Sequence, residues 1–345
     1  MKDLQNSLQL RRDRSSGPSV ARCRDCFQGT AFCGACISKA HRHDPFHWID
    51  LWNGEFFEKV DMGMLGYILY LGHHGQPCPD LVDCLKPSKF VVTHTNGIHE
   101  LAVHWCHCAG APERISQMLH AGLFPATLDH PESAFTVALL KEWHMHALTS
   151  KKGVYDYMYT IRRLTNNSAP HTVKNRYREF NIVSRIWHYI TMMKRSGNFH
   201  GMALLNCDPQ SLTVPCFTCP WLGMNMLRAR YIHTCELGGN GNHGLQKKRK
   251  HDDPNDISLG LRQGYFVHPD KMSEYMDSIE AEPAPETCSG FKVARAQCPG
   301  KFCNLDVSGV IAVICIRHGC FRPVAMVDLQ KGEQCVSMQH LVLSD

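Results

Sequence analysis

The residues best suited to chemistry in this chain are cysteines and histidines. The first group reads Cys23-x2-Cys26-x6-Cys33-x2-Cys36-x4-His41-x5-His47. A Cys-x2-Cys turn aims two thiolates at one ion, and tetrahedral zinc takes four nitrogen or sulfur ligands. Six ligands do not divide into two sites of four, so two groupings are open. In one, Cys23, Cys26, His41 and His47 share an ion, as alternate pairs do in cross-braced fingers, and Cys33 and Cys36 are left as a half-pair. In the other, Cys23, Cys26, Cys33 and Cys36 form one site and both histidines are structural. His43 is expected to face solvent.

Two further groups follow. His73 and Cys78 lie in LGHHGQPC, and Cys106 and Cys108 lie in WCHC. A Cys-x-Cys chelate completed by a remote His/Cys pair gives four ligands, with Cys84, His99 and His104 as substitutes. The third group is Cys216-x2-Cys219 between Pro215 and Pro220. Its partners are open among Cys207, Cys235, His233, Cys315 and His318. A Cys-x2-Cys pair can also be redox-active. No thioredoxin-like βαβ pattern surrounds this one, so zinc ranks first.

Composition agrees with metal chemistry. The chain has 345 residues, 18 Cys, 22 His and a formal charge of +5. That length suits two or three domains and a real apolar core. Cysteine, at about 5%, is too sparse for a small disulfide scaffold. Residues 1–20 are polar and basic, with no apolar stretch of a secretory leader. The longest apolar runs, 64–71 and 310–316, fall short of the ~20 residues that span a bilayer. Reduced thiols in an intracellular chain are the expectation.

The elements that must position these ligands divide into blocks. Eight cysteines lie in 23–108, none in 109–206 and ten in 207–335. The middle is expected to be helical. Val154, Tyr157, Met158, Ile161 and Leu164 recur at three- and four-residue steps, as do Val173, Tyr177, Phe180, Val183, Trp187 and Ile190. A third helix is expected over 134–148, and 166–170 punctuates the first two. These aromatic stripes suit core packing. A short helix is expected over 269–281, a loop over 282–286 and a β-hairpin over 307–329. Charge concentrates in the middle: residues 141–202 hold 11 Lys/Arg and three acids, so the remainder of the chain sums to −3. Such a field attracts polyanions. Lys151, Lys152, Arg162, Arg163, Arg176, Arg178 and Arg185 are the candidate DNA contacts. The basic run Lys247–Lys250 suits nuclear import or a strand edge.

Residues 22–26, 33–36, 41–47 (HRHDPFH), 52–54, 71–73, 97–99, 106–108, 123–127 (LFPAT), 134–136 and 155–165 resemble the CxC-type cysteine cluster (second type) associated with KDZ (Kyakuja-Dileera-Zisupton) transposases. This family is best known from basidiomycete fungi. The likeness continues through PCFTCP at 215–220 with Asn225, then 264–267, 288–291, Gly309, 317–319 (RHG) and 328–333 (DLQKGE). It implies an RNase H-like transposase that cuts and joins DNA with two divalent metals held by acidic residues. It also implies a zinc module, similar to ZZ or B-box fingers, that contacts DNA or protein.

The departures are informative. The family's first catalytic Asp lies in a D-G-N-F-type motif; the matching stretch here is Asn240-Gly241-Asn242, so Asn240 stands at that position. An amide lacks the charge that a hard cation such as Mg²⁺ requires. The family's later acids have no counterpart here, residues 334–345 look divergent, and truncation is expected. Asp306, Glu236 and above all Asp328 are weak substitutes.

The resulting expectation is an α+β chain: a basic tail (1–21), a zinc-stapled cysteine cluster (22–110), a basic helical region (111–205), an incomplete RNase H-like β-region (206–333) and a divergent tail (334–345). Zinc is the expected cofactor, with Mg²⁺ only if a transposase site survives. DNA is the expected partner, chromatin or peptides the alternative, and the nucleus the expected location. Inactivity is expected, a zinc-dependent protein-interaction module is the second reading, and an active transposase with an unusual metal site is the third.

Overall fold

The computed structural model describes residues 20–80, 86–195, 212–220, 225, 234–248, 259, 264–268, 270–274, 277 and 304–329. The chain divides into two compact units, Met1–His188 and Tyr189–Asp345. Both mix strands and helices, so the α+β class holds.

The first unit opens with four short antiparallel strands, β1 (Val20–Cys23), β2 (Ala31–Cys33), β3 (Ile49–Trp52) and β4 (Phe57–Val60), in the order β2-β1-β3-β4. Helix α1 (Gly34–Ala40) follows β2 directly. A second sheet has five strands: β5 (Ile68–Tyr70), β6 (Ser88–His94), β7 (Gly97–His104), β8 (Leu123–Pro125) and β9 (Ser133–Thr136). Their order is β5-β7-β6-β9-β8. Helix α2 (Arg114–His120) precedes β8. Helices α3 (Val137–Thr149), α4 (Val154–Thr165) and α5 (Tyr177–Arg195) follow β9.

Period-two alternation along the strands explains why this sheet is covered on both faces. Phe90, Val92, Leu101, Val103, Leu123 and Ala134 join one core with Ile37, Ile49 and Met62 from the finger region. Their sequence neighbours Val91, Phe124 and Phe135 face a second core built on α3, α4 and α5. There the helical period takes over: Tyr157, Met158 and Ile161 on α4 meet Leu139, Leu140 and Trp143 on α3 and Phe180 and Val183 on α5. The Trp143 and Phe180 rings lie 5.8 Å apart, edge to face.

Two expectations about the helices need correction. Ala134–Thr136 belong to strand β9, and the third helix starts at Val137. Thr136 ends the strand and caps the helix, its Oγ1 accepting from Leu139 N at 3.2 Å. The middle is therefore not purely helical. The five-stranded sheet takes strands from both sides of residue 110, where a domain boundary was expected. Helix α5 begins at Tyr177, leaving Val173 in the preceding loop.

The second unit has a three-stranded antiparallel sheet, β10 (Leu237–Asn242), β13 (Gly309–Cys315) and β14 (Cys320–Leu329). A two-stranded pair joins β11 (Lys247–Lys248) to β12 (Leu305–Val307). The expected hairpin is present as β13–β14, turning at residues 316–319. Lys247 and Lys248 form a strand edge; Arg249 and Lys250 lie outside the described residues, as does the loop expected over 282–286. Residues 270–274 of the expected 269–281 helix are helical. Ile311, Val313, Val327 and Leu329 point to one face and form a small aliphatic core with Val267 and Ala325. Among the described residues no helix is long and apolar enough to cross a membrane.

Candidate metal centres

The structure brings together three groups of four ligands. In each, all four ligand atoms lie within 4.8 Å of one another. Four atoms on a tetrahedron around zinc, at about 2.0–2.3 Å from the ion, sit roughly 3.3–3.8 Å apart. The observed spacings fit that cage.

The first centre is Cys23, Cys26, His41 and His47. Of the two groupings open in the sequence, the geometry selects this one. Cys23 ends β1, and the turn after it brings the Cys26 amide to Cys23 Sγ at 3.3 Å. His41 caps the C-terminus of α1, and its Nδ1 donates to the Ile37 carbonyl at 3.0 Å. That bond leaves Nε2 as the free ligand atom, 3.3 Å from Cys26 Sγ. His47 Nδ1 stands 3.5 Å from both Cys23 and Cys26 sulfurs. Burial pushes the Cys23 thiol up to about 11. A bound cation would reverse that, because the ion holds the thiolate. His43 is exposed, as expected.

Residues that spacing rules could not have found lock this centre. Asp25 accepts from the Trp48 amide at 2.7 Å and from Asn96 Nδ2 at 3.0 Å. Asn96 also donates to Phe46 O, and Trp48 Nε1 donates to Asn96 O. The loop bearing His47 is thereby tied to the β6–β7 turn. Gly97 in that turn has φ +147° and approaches Trp48 so closely that a Cβ would sit 2.8 Å from the indole.

The second centre is His73, Cys78, Cys106 and Cys108. It is the set expected from sequence. His73 Nε2 lies 3.2 Å from Cys106 Sγ and 3.3 Å from Cys108 Sγ. Cys78 Sγ lies 3.5 Å from Cys108 Sγ. His73 and His74 adopt left-handed φ values of 44° and 53°, a strained conformation that concentrates at functional sites. Gly72 before them has φ +87°, and a Cβ there would meet Cys106 Cβ at 2.9 Å. The His107 amide donates to Cys78 Sγ and draws its thiol down to about 6. The hydrogen bond between Cys108 and Cys78 then holds the Cys108 thiol up at about 12. Buried Gln117 clamps the Cys-x-Cys turn: its Oε1 accepts from Cys106 N at 2.9 Å, and its Nε2 donates to Cys106 O and Pro112 O. The substitutes are placed elsewhere. His99 is buried against Trp48 and paired with Asn96. His104 stacks on Tyr70. Cys84 lies outside the described residues.

The third centre is Cys216, Cys219, Cys315 and His318. Sequence reasoning had left its partners open. His318 Nδ1 lies 3.3 Å from both Cys216 and Cys315 sulfurs, and Cys219 Sγ lies 3.1 Å from Cys315 Sγ. Cys315 ends β13, and the turn closes through the Gly319 amide on Cys315 O. Arg317 bonds Glu236 at 2.7 Å, which holds that carboxyl below its usual range. Asn225 donates to Phe217 O and Cys219 O, bracing the knuckle. The Thr218 hydroxyl draws Cys216 down to about 6, while burial raises Cys219. Cys235 and Cys320 pack against the centre without joining the four. Cys207 and His233 lie outside the described residues.

Cys33 and Cys36 remain a pair without a third ligand among the described residues. Of the candidate DNA contacts, Arg162 donates to Val173 O and Pro170 O. Arg176 is buried and bonds Glu179. Both thus make hydrogen bonds within the fold. Lys152 is half-buried over the Tyr157 ring. Lys151, Arg163, Arg178 and Arg185 are exposed.

Asn240 lies on β10 opposite Ala312, and Asn242 lies opposite Val310, which in turn faces Asp328. Directly opposed residues share a face. Asp328 is thus on the same face as Asn240 and Asn242 but two strands away, roughly 10 Å. Among the described residues no group of carboxylates forms a metal-sized cluster.

Two family models match the chain. The CxC2-like cysteine cluster associated with KDZ transposases matches residues 62–169, and the Kyakuja-Dileera-Zisupton transposase matches residues 233–345. The second centre falls inside the first match, and Cys315 and His318 fall inside the second. The second match runs to Asp345, so residues 334–345, expected to diverge, lie within it. No curated protein and no solved structure matches. The chain thus joins a CxC2-like cysteine cluster associated with KDZ transposases to a segment that matches the KDZ transposase family itself.

Proposed function

We propose that this protein is a transposon-derived, zinc-stapled DNA-binding protein that does not itself perform strand transfer. Zinc is the ion that suits the donors. One site offers two thiolates and two imidazoles, the other two offer three thiolates and one imidazole, and no position is left open for a substrate. Such closed sites are structural. One observation carries the DNA reading, the outer face of α4. Tyr155 and Tyr159 are exposed and lie parallel at 6.5 Å, and the Arg163 guanidinium sits over the Tyr159 ring at 5.9 Å. Exposed rings alternating with basic groups suit a phosphate backbone and its bases. Lys151, Arg178 and Arg185 extend the basic field, and nuclear location would follow from such a role.

Fluorescence anisotropy with labelled DNA across a salt series tests this. Replacing Lys151, Arg163, Arg178 and Arg185 by alanine is expected to weaken binding. The salt slope should flatten by about 0.9 for each phosphate no longer neutralised. Unchanged binding would remove this face from the proposal. For the chemistry, Asn240 supports inactivity, because an amide is a poor ligand for Mg²⁺. A strand-transfer assay with Mg²⁺ or Mn²⁺ is expected to give no product; metal-dependent cleavage by the purified chain would overturn inactivity.

One observation favours a second reading, a zinc-dependent peptide reader. A cavity of about 980 Å³ adjoins the second centre, lined in part by Arg42, Tyr67, Tyr70 and His120. Saturable peptide binding that leaves DNA affinity unchanged would favour it.

A further inference from the structure

Cys33 and Cys36 have the geometry of a metal knuckle but half the ligands of a metal site. The Cys36 amide donates to Cys33 Sγ at 3.4 Å. In the first centre the Cys26 amide donates to Cys23 Sγ at 3.3 Å, with the same three-residue offset. That turn orients two sulfurs toward one point. At Cys23 and Cys26 the point is closed by His41 and His47. At Cys33 and Cys36 it faces outward: Cys36 is exposed, Cys33 is half-exposed, and Ala35 between them is exposed.

The pair is also held rigidly. Cys33 ends β2, which is registered on β1 through Val20 opposite Cys33. Cys36 sits in the first turn of α1, where the next residue, Ile37, is fully buried in the core. A preorganised pair of thiols loses little freedom on binding a metal.

No further His, Cys, Asp or Glu completes the group among the described residues. A second copy of the chain would supply what is needed. The same rigid pair, related by a twofold axis, gives four thiolates on one ion, and a twofold interface is self-complementary by construction. A set of four cysteines is a common closed zinc site. An exposed pair of this kind is open to approach by its twin.

We infer that Cys33 and Cys36 form half of an intermolecular zinc site, in which two copies of this chain share one ion through four thiolates. The inference rests on the zinc reading of the closed centres only for the identity of the metal. The shared site makes dimerisation metal-dependent. In a protein that contacts DNA, it would pair two basic faces.

The test uses the full chain, purified with zinc under reducing conditions. Mass from light scattering and zinc per chain are measured together. The unaltered chain is expected at dimer mass. Cys33→Ser/Cys36→Ser is expected at monomer mass with about half an ion less per chain, the share of one ion between two copies. Cys36→His keeps a zinc ligand and is expected to remain dimeric, which separates ligation from folding. Cys36→Ala truncates an exposed side chain and is expected to be monomeric with an unchanged circular dichroism spectrum. A monomeric unaltered chain would overturn the inference. So would a dimer that survives the double serine change, or the loss of a whole ion without a change in mass, which would mean closure within one chain. The zinc remaining in the double variant reports separately on the three closed centres. If it is near zero the zinc reading of those centres fails, while the half-ion difference still decides the shared site.

Discussion

The two units hold their metal centres in opposite ways. Among the described residues, the first unit has two apolar clusters of fifteen and ten buried side chains, with Trp105, Trp143, Tyr157, Phe90, Phe135 and Phe180 among them. Its two centres sit at the margin of that mass. Cys23 belongs to the core and Cys78 is buried, but the folds of the sheets do not depend on them for bulk. Among the described residues, the second unit has a cluster of six buried side chains, all aliphatic. Its other buried cluster consists of Cys216, Cys219 and Cys315, three of the metal ligands themselves. In the first unit the core positions the metal. In the second, among the described residues, the third centre ties the 212–220 knuckle to the end of β13, with the Val214 amide donating to the Tyr265 hydroxyl beside it. A structural zinc contributes folding energy outright, with apparent binding of about 10–16 kcal/mol in small fingers.

Metal removal is the largest way to break this comparison. A strong chelator is expected to abolish amide protection across β10, β13 and β14 while much of β6, β7, α3 and α4 stays protected. Hydrogen exchange with and without chelator checks it. Equal loss in both units would mean that the first unit's core also depends on its ions. Cys315→Ser should reproduce the effect in the second unit alone.

The next effect runs the other way. Trp143→Ala removes a ring that packs on both Tyr157 and Phe180, with centroids 5.3 Å and 5.8 Å away. A buried aromatic cut to alanine costs about 3–5 kcal/mol. The first unit's melting transition should fall while zinc content is kept at the third centre. Metal analysis alongside thermal denaturation checks both halves.

How the ligands were found explains what a sequence can and cannot reveal here. Local pairs carry their own signature: Cys23/Cys26, Cys216/Cys219 and Cys106/Cys108 each lie within one turn. The second centre was legible because the Cys106-x-Cys108 chelate and the His73/Cys78 pair are each local, although Cys84, His99 and His104 stood as substitutes. The first was legible up to a choice of two groupings, and the strand pairing of β1 with β2 and β3 decided it. The third was not legible beyond a roll of partners, since nothing local shows that Cys216 meets His318 across 102 residues. That contact is made by sheet topology. The helices were legible from their period, but β9 was not. SAFT reads into the following helix because Thr136 serves both elements. Gln117, Asn96 and Asp25 escaped for a different reason. Their role is to brace the ligand loops through hydrogen bonds, and no spacing rule marks such residues.

Gln117 therefore offers a finer test of how the first unit positions its ions. Gln117→Ala should leave the second centre's four ligands in place but free the Cys106 amide and carbonyl. Loss of an outer-shell clamp of this kind typically lowers metal affinity about 10- to 100-fold. Competition with a chromophoric chelator measures it. The third centre, in the other unit, should be unaffected, and a matched loss there would show that the two units are coupled through metal content.

The smallest expected effect is at Thr136, where one residue ends a strand and starts a helix. Its side chain satisfies the Leu139 amide and also bonds His94 Nδ1 at 2.9 Å. Thr136→Ala deletes the cap, at a cost of about 1 kcal/mol, and leaves a half-buried His94 without that partner. Thr136→Ser keeps the hydroxyl and should recover most of the loss. Helix α3 carries Leu139, Leu140 and Trp143 into the helical core, yet no metal ligand lies on it. The first unit should thus lose stability with zinc content unchanged, as measured by denaturant unfolding beside metal analysis. A drop in zinc would mean that even a cap remote from the ligands is felt at the centres, and that the first unit depends on its ions more closely than its large core implies.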